Sequence, residues 1–177
     1  MRVVALTGAG ISKSAGIPTF EDMPDMQRKL SVDYKNQFPE DFEKTMAALR
    51  EIMTGMQPTR AHYALAEYGV PIITQNIDNL HKMAGSTDVY EIHGSFRDDN
   101  VVLYGEKVHR LRDVYDLLKQ GGPGSYLLII GTRLGTIIPN GIKSSALELG
   151  YQVETILEDA DKKVPEVLDK LFSRGYN

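Results

Sequence analysis

The 177-residue chain contains no cysteine and no tryptophan. Without thiols there can be no disulfide, no thiolate-bound zinc or iron–sulfur cluster and no cysteine nucleophile. An excess of basic charge is also missing. Twenty Lys and Arg stand against 24 Asp and Glu, a net charge of −4, so nothing marks an electrostatic footprint for nucleic acid. No apolar run approaches the ~20 residues of a membrane span. The first six residues pass straight into Thr7-Gly8-Ala9-Gly10, with no signal-peptide pattern. The expected setting is cytoplasmic, with neither nucleic acid nor a membrane as partner. The four histidines, at 62, 81, 93 and 109, are scattered without ligand spacing, and no metal site is expected. Against these absences stand 42% hydrophobic and 25% charged residues, the balance of an ordinary globular domain. A chain of this length makes about one domain and buries roughly 70% of its unfolded surface.

Short apolar runs rich in β-formers occur at 3–6, 72–74, 89–92, 101–104, 126–130 and 153–157. Between them lie helical spacings: Ala61, Ala64, Leu65 and Tyr68; Val108, Leu111, Tyr115 and Leu118; and Val164, Val167, Leu168 and Leu171, with Gly175 as the expected stop. Alternating strands and helices predict an α/β fold, a Rossmann-like, doubly wound parallel sheet covered on both faces. Continuous runs such as Tyr126-Leu127-Leu128-Ile129-Ile130 suit strands buried on both sides. One stretch breaks the alternation. Residues 19–57 show no strand, while Phe38, Phe42, Met46, Leu49 and Met53 recur at helical spacing. The organisation expected is one domain, 1–177, with a small helical insertion at 19–57.

Thr7-Gly8-Ala9-Gly10-Ile11-Ser12 comes directly after the first strand. Glycines there let a backbone approach a pyrophosphate, and the next helix offers amides to an anion. Neither familiar phosphate motif fits, however. G-x-G-x-x-G fails at Lys13, and a P-loop ending in Lys13-Ser14 fails at Thr7 and Ser12. A tight turn with no ligand is the equal alternative. In an open parallel sheet the ligand crevice lies beyond the carboxyl ends of the strands, so the residues just past each run are informative. Residues 72–74 lead into Gln75-Asn76-Ile77-Asp78-Asn79, 89–92 into His93-Gly94, and 126–130 into Gly131-Thr132-Arg133. Amides, an acid, an imidazole and glycines at four strand ends suit a polar, phosphorylated ligand. Singly, Asn76, Asp78 and Asn79 read equally as turn and cap residues. His62 reads as packed or capping, and His81 and His109 as surface residues.

These segments resemble the sirtuins, the NAD-dependent protein deacylases. Gly8-Ala9-Gly10-Ile11-Ser12, with Gly16-Ile17-Pro18 and Phe20, resembles the opening motif of that family. Pro58, Ala61-His62 and Leu65 resemble the helix before its second strand. Thr74-Gln75-Asn76-Ile77-Asp78-Asn79-Leu80-His81 resembles its central motif, and Glu91-Ile92-His93-Gly94-Ser95 the segment of its catalytic histidine. Val101-Val102-Leu103-Tyr104-Gly105-Glu106 is similar to its substrate segment, and Gly131-Thr132-Arg133-Leu134 with Pro139 to its late nucleotide loop.

The resemblance implies a reaction in which an acylated lysine attacks the nicotinamide-bearing ribose of NAD. Nicotinamide leaves and the acyl group ends on ADP-ribose. On this resemblance His93 is the general base, a role suited to an imidazole with an ordinary pKa of ~6.5. Asn76 and Gln75 hold the ribose, Asp78 takes the nicotinamide carboxamide, and Ile77 completes that segment. Ala9, Ile11 and Phe20 wall the nicotinamide, while Gly8, Gly10, Ser12, Gly131 and Thr132 form the rest of the nucleotide site. Val102, Leu103 and Tyr104 receive an extended acyl-lysine peptide or protein segment by strand addition.

The pattern is also broken in four places. Only residues 95–100 separate Gly94 from Val101, where the family usually carries a zinc module, so a reduced form with no zinc ribbon is expected. Glu21 replaces an arginine and Thr19 an aspartate of the opening motif. Arg133 replaces a serine, and its fork can return a cation to the pyrophosphate. Glu158 stands where an adenosine-binding asparagine is usual; a carboxylate there can accept ribose hydroxyls. Two alternatives stay open beside deacylation: NAD glycohydrolase or ADP-ribosyltransferase activity, and a non-catalytic NAD or ADP-ribose-binding module.

Overall fold

The computed structural model describes residues 1–17 and 25–173. Thr19, Phe20, Glu21 and Gly175 lie outside them. Five strands form one parallel sheet in the order β3-β2-β1-β4-β5. At its centre is β1 (Val3–Thr7), paired with β2 (Ile72–Thr74) on one side and β4 (Tyr126–Ile130) on the other. The edges are β3 (Val89–Glu91) and β5 (Gln152–Ile156). All five residues of β1 are buried, because each face of the sheet carries helices. Val3, Ala5, Ile72, Leu128 and Ile130 pack against α4 (Arg60–Glu67) and α8 (Ala160–Ser173) through Ala61, Leu65, Val164 and Leu168. Val4, Leu6, Ile73, Leu127 and Ile129 pack against α6 (Leu111–Lys119) and α7 (Ile137–Glu148) through Val114, Leu117, Leu118, Ile142 and Ala146. Burial on both faces is why these strands read as unbroken apolar runs.

The expected helix around Phe38 is present as α3 (Pro39–Thr54), with Pro39 in its first turn and Glu40 and Asp41 close behind. Proline lacks only an amide that a first turn leaves unpaired, and acids there complement the helix dipole. Two short helices precede it, α1 (Met26–Lys29) and α2 (Val32–Gln37), the second capped by Ser31, whose Oγ accepts the Tyr34 amide at 3.2 Å. This helical layer sits on residues 95–104. Leu30, Leu49 and Phe96 form one apolar cluster with Met26, Met46, Met53, Ile77 and Val101, and Tyr34, Phe42 and Leu103 form another.

Two expectations need correction. Residues 101–104 are not a sheet strand. Their backbone bonds go to His93 and Leu30, and among the described residues their only ladder contact is a single parallel bridge between Ser31 and Tyr104. The helix expected from Val108 starts at Leu111, because Arg110 adopts a left-handed conformation (φ 53°) and its guanidinium donates to the Val89 carbonyl at 3.1 Å. Helix α7 carries no sequence pattern that marks it: it buries only Pro139, Ile142 and Ala146, too short a stripe to stand out, and leaves Ile137 90% exposed.

Candidate functional site

The chain runs outward from β1 to β2 and β3, then returns to the other side of β1 for β4 and β5. The direction therefore reverses between β1 and β4, where such sheets open a crevice beyond their carboxyl ends. The two glycine turns meet at this place. The Gly8 amide donates to the Ile130 carbonyl at 2.9 Å, the Gly10 amide to the Gly131 carbonyl at 2.9 Å, and the Gly131 amide to the Ile156 carbonyl at 2.8 Å. A Cβ on Gly10 would stand 2.6 Å from Gly131 Cα, and one on Gly8 2.7 Å from Thr132 Cβ. Gly131 itself has φ +65°. The turns interlock backbone against backbone, which only glycine permits. The segment after the first turn is a 3-10 helix (Ala9–Ala15), not the α-helix expected.

Directly beneath lies a buried polar hub. Ser12, fully buried, donates to Asp78 Oδ2 at 2.7 Å and accepts from Asn76 Nδ2 at 3.2 Å. Asn76 Nδ2 also reaches the Gly8 carbonyl at 3.3 Å, and its amide donates to Thr74 Oγ1 at 3.0 Å. Asp78 Oδ1 accepts the Leu80 amide at 3.0 Å and so opens the one-turn helix α5 (Leu80–Met83). The turn reading of Asp78 is met, and the same carboxylate also braces the glycine segment through Ser12. Gln75 Nε2 donates to Thr132 Oγ1 at 3.1 Å, crossing from the end of β2 to the turn after β4. Among the described residues the Asn76 side-chain oxygen accepts no hydrogen bond. It is the hub's spare acceptor.

His93 leaves the end of the neighbouring strand. The register pairs Thr74 with Glu91, and the Ile92 amide donates to the Thr74 carbonyl at 3.1 Å, so Asn76 and His93 extend from adjacent strand ends. The imidazole is half-buried, and among the described residues nothing hydrogen-bonds to it. Burial, assisted by nearby His109, holds its pKa below the ordinary histidine value. It is therefore neutral at neutral pH, as a proton acceptor must be.

Two further histidines lie under the hub. His62 and Thr59 form a capping box at the start of α4: the Thr59 amide donates to His62 Nδ1 at 3.2 Å, and Thr59 Oγ1 donates to the Ile11 carbonyl at 3.2 Å. The expectation of a packed or capping His62 is met. His81 is 2% exposed, not the surface residue expected; α5 turns it inward, where Nε2 meets Thr7 Oγ1 at 2.9 Å. The two rings stand 4.6 Å apart, and His62 Nε2 and His81 Nδ1 have no partner among the described residues. Burial lowers the His62 pKa to about 4, against the raising pull of Asp78 and Asp161, and burial also holds His81 well below its usual value. Thr59 was missed by sequence reasoning; its signal was its place three residues before His62.

The remaining candidates divide. Ala9, Gly10, Gly131 and Thr132 are partly open to solvent at the crevice, and Arg133 and Glu158 are exposed at the ends of β4 and β5. Ile77 is half-buried against Phe96 and Leu49. Ile11 is fully buried with Ala61 and Leu65, so its side chain belongs to the core and not to a crevice wall. Leu103 is buried against Tyr34 and Phe42. Along the expected substrate segment the Val102 amide donates to the His93 carbonyl at 2.9 Å, Leu103 to Glu106 Oε2 at 2.8 Å, and Tyr104 to the Leu30 carbonyl at 2.8 Å. The Val102 and Tyr104 amides are engaged by backbone on one edge and the Leu103 amide by a carboxylate on the other, so neither edge offers a strand-adding peptide a free amide.

The residues do not fit a structural zinc. The chain has no cysteine, and no group of three or more His, Asp or Glu among the described residues could hold a metal ion. They do fit a dinucleotide: an all-parallel sheet, glycine turns at its reversal point, and an unpaired amide oxygen and a neutral imidazole leaving adjacent strand ends match the Rossmann-like class of sheet that receives nucleotides. No helix among the described residues is long and apolar enough to cross a membrane.

Comparison with known proteins narrows the class. A model described as the Sir2 family matches residues 8–100, and the chain belongs to that family, the sirtuins. It is 41% identical over 120 residues to NAD-dependent protein deacetylase 2 of Caldanaerobacter subterraneus subsp. tengcongensis, a match covering 60% of this chain and 48% of that protein. Against the NAD-dependent protein deacetylase of Sulfurisphaera tokodaii it is 31% identical over 193 residues, covering 83% of this chain and 76% of the relative. The chain thus spans about half the length of the first and three quarters of the second. Its fold is that of a Sir2 homologue solved with NAD, at TM-score 0.81 and 24% identity, covering 98% of this chain and 88% of that one. A Sir2 protein bound to acetylated peptide superposes at TM-score 0.77 and 25% identity, covering 98% and 93%.

Proposed function

We propose that the protein is an NAD-dependent protein lysine deacylase in which His93 is the general base and Asn76 holds the nucleotide ribose. The observation that carries the reading is the pairing of a half-buried, neutral, unpartnered imidazole with an unpaired amide oxygen on the adjacent strand end. NAD, when bound, supplies a nicotinamide–ribose bond whose cleavage drives acyl transfer from lysine to ADP-ribose. His93 takes the proton from a ribose hydroxyl. The Asn76 oxygen accepts a second hydroxyl and fixes the sugar's orientation, with Gln75 and Ile77 lining the same side. Asp78 presents its remaining lone pairs to the nicotinamide carboxamide while it braces Ser12. Gly8, Ala9, Gly10, Gly131 and Thr132 bring backbone close to the pyrophosphate, Arg133 balances its charge, and Glu158 accepts from the adenosine ribose. Phe20 lies outside the described residues and keeps the nicotinamide-side role the resemblance implies.

The acceptor is the point where a second reading has support. With the Val102, Leu103 and Tyr104 amides engaged within the chain, a peptide has no free ladder to join at those positions. Water or another acceptor would then take the ADP-ribosyl group, as in a glycohydrolase or ADP-ribosyltransferase. Incubation with NAD, with and without an acetyl-lysine peptide, decides. Nicotinamide release that requires peptide and yields acylated ADP-ribose supports deacylation; equal release without peptide selects the second reading; NAD binding without release leaves a non-catalytic module.

A further inference from the structure

The imidazole assigned as base belongs to a segment with no regular structure of its own. Between His93 and Val101 the chain makes a loop that Asn100 closes: its Oδ1 accepts the Ser95 amide at 2.8 Å, and its carbonyl fills the place where a Cβ on Gly94 would stand. Ser95 Oγ accepts the Asp98 amide at 3.2 Å. Closed on itself, the loop must still be docked, and one side chain from the helical layer contacts it at three points. Arg50 of α3 donates from Nη1 to the Phe96 carbonyl at 3.0 Å, and its guanidinium stands 5.6 Å from the centre of the Phe96 ring. Its Nη2 pairs with Asp99, a residue in the left-handed region at φ +52°. On the other side Lys82 of α5 joins Glu91 at 2.6 Å and Asp98 at 3.3 Å. The Phe96 amide donates to the Ile77 carbonyl at 3.1 Å, which seats the loop against the segment carrying Asn76 and Asp78.

We propose that Arg50 is a positioning residue for His93, gripping the 95–100 loop at a carbonyl, a ring face and a carboxylate so that the imidazole stays half-buried next to the Asn76 strand end. This inference rests on the deacylase reading for its kinetic consequence but not for its structural one. Arginine is suited because one planar fork serves all three contacts; a lysine ammonium is a point charge that serves one. Arg50 acts through the loop and does not touch the reacting atoms.

The test compares Arg50→Ala, Arg50→Lys and Asp99→Asn in the full chain. The readouts are the His93 titration by NMR, calorimetric NAD binding, steady-state nicotinamide release and thermal melting. His93 titrates below the ordinary range because it is buried and faces His109, and none of the substitutions alters His109. Both Arg50 variants are expected to move the His93 titration upward toward the ordinary histidine value, with kcat about tenfold lower and KM for NAD within twofold, the size of a mispositioned base. Asp99→Asn, which keeps the carbonyl and ring contacts, is expected to retain at least half of kcat. An unchanged His93 titration in a cooperatively folded Arg50→Ala protein overturns the proposal. So does an Arg50→Lys protein with the wild-type His93 titration and kcat, since a lysine cannot serve the carbonyl, the ring and the carboxylate together. Should Arg50→Ala not fold, Arg50→Lys decides by the same readouts. If the unsubstituted protein neither binds NAD nor releases nicotinamide, the deacylase reading fails, and the His93 titration still decides whether Arg50 holds the loop.

Discussion

The crevice floor and the helical layer beside it are held together by different physics. On the floor, Gly10 and Gly131 interlock at backbone distance, and Ser12, Asn76 and Asp78 bond to one another while almost fully buried. In the layer, α1 and α3 pair with each other through Lys29–Asp41 and meet residues 95–101 through Met26, Met46 and Met53 and the exposed Arg50–Asp99 pair. Close-packed backbone and buried side chains hydrogen-bonded to one another specify one geometry. Thioether side chains and solvent-screened charges tolerate several. On the proposed reading, the nucleotide would meet the first kind of surface and the acceptor the second.

The largest expected effect falls on chemistry alone. His93→Asn should lower formation of acylated ADP-ribose by about 10²–10⁴-fold with no change in melting temperature; a smaller loss would move the base elsewhere. Core truncation sharpens the contrast next. Leu128→Ala, in the central sheet, is expected to cost about 4 kcal/mol, against about 2 kcal/mol for Leu49→Ala, whose methionine neighbours can collapse into the space. Equal losses in chemical denaturation would erase the distinction between the two regions. Gly131→Ala should cost about 3 kcal/mol, since a new Cβ meets the Gly10 backbone from a left-handed conformation.

Acid should find the floor before the layer. His62, with a folded pKa of about 4 against the ordinary 6.5, is buried neutral, so between those values the unfolded chain holds a proton the folded chain lacks. Stability is then full above pH ~6.5 and falls as the pH drops toward 4, by about 1.4 kcal/mol per unit for one such histidine. His81, lowered by burial in the same sense, adds to the slope. Urea unfolding between pH 7 and 4 measures it, and His62→Gln should reduce it by about one proton's worth. The smallest effect is that of salt. Raising ionic strength should speed amide exchange in 95–100, where Arg50–Asp99 and Lys82–Asp98 are exposed, and leave that of β1 unchanged.

Much of the floor was legible in the sequence because it is made of local signals. Unbroken apolar runs marked the central strands, and the residues just past them marked Gln75, Asn76, His93 and Gly131 as neighbours. The layer was harder to read for the same reason that it is adaptable. Residues 101–104 have the composition of a strand, but their amides go to His93, Glu106 and Leu30, pairings far apart in sequence or dependent on one side chain. The burial of His81 comes from a one-turn helix whose direction is set by Asp78 and Asn79, and no periodicity can show that in four residues. Nothing in the sequence around Arg50 marks it; the docked loop gives it partners.

The middle of the sheet is built from the strand that occurs earliest in the chain. Val3–Thr7 has one neighbour at residues 72–74 and the other only at 126–130. During synthesis on a ribosome this apolar ribbon therefore waits with both flanks naked until residues 72–74 emerge, and with one flank naked until residues 126–130 follow. Its closure is a long-range, slow event, and the interval is when a chaperone would have most to shield.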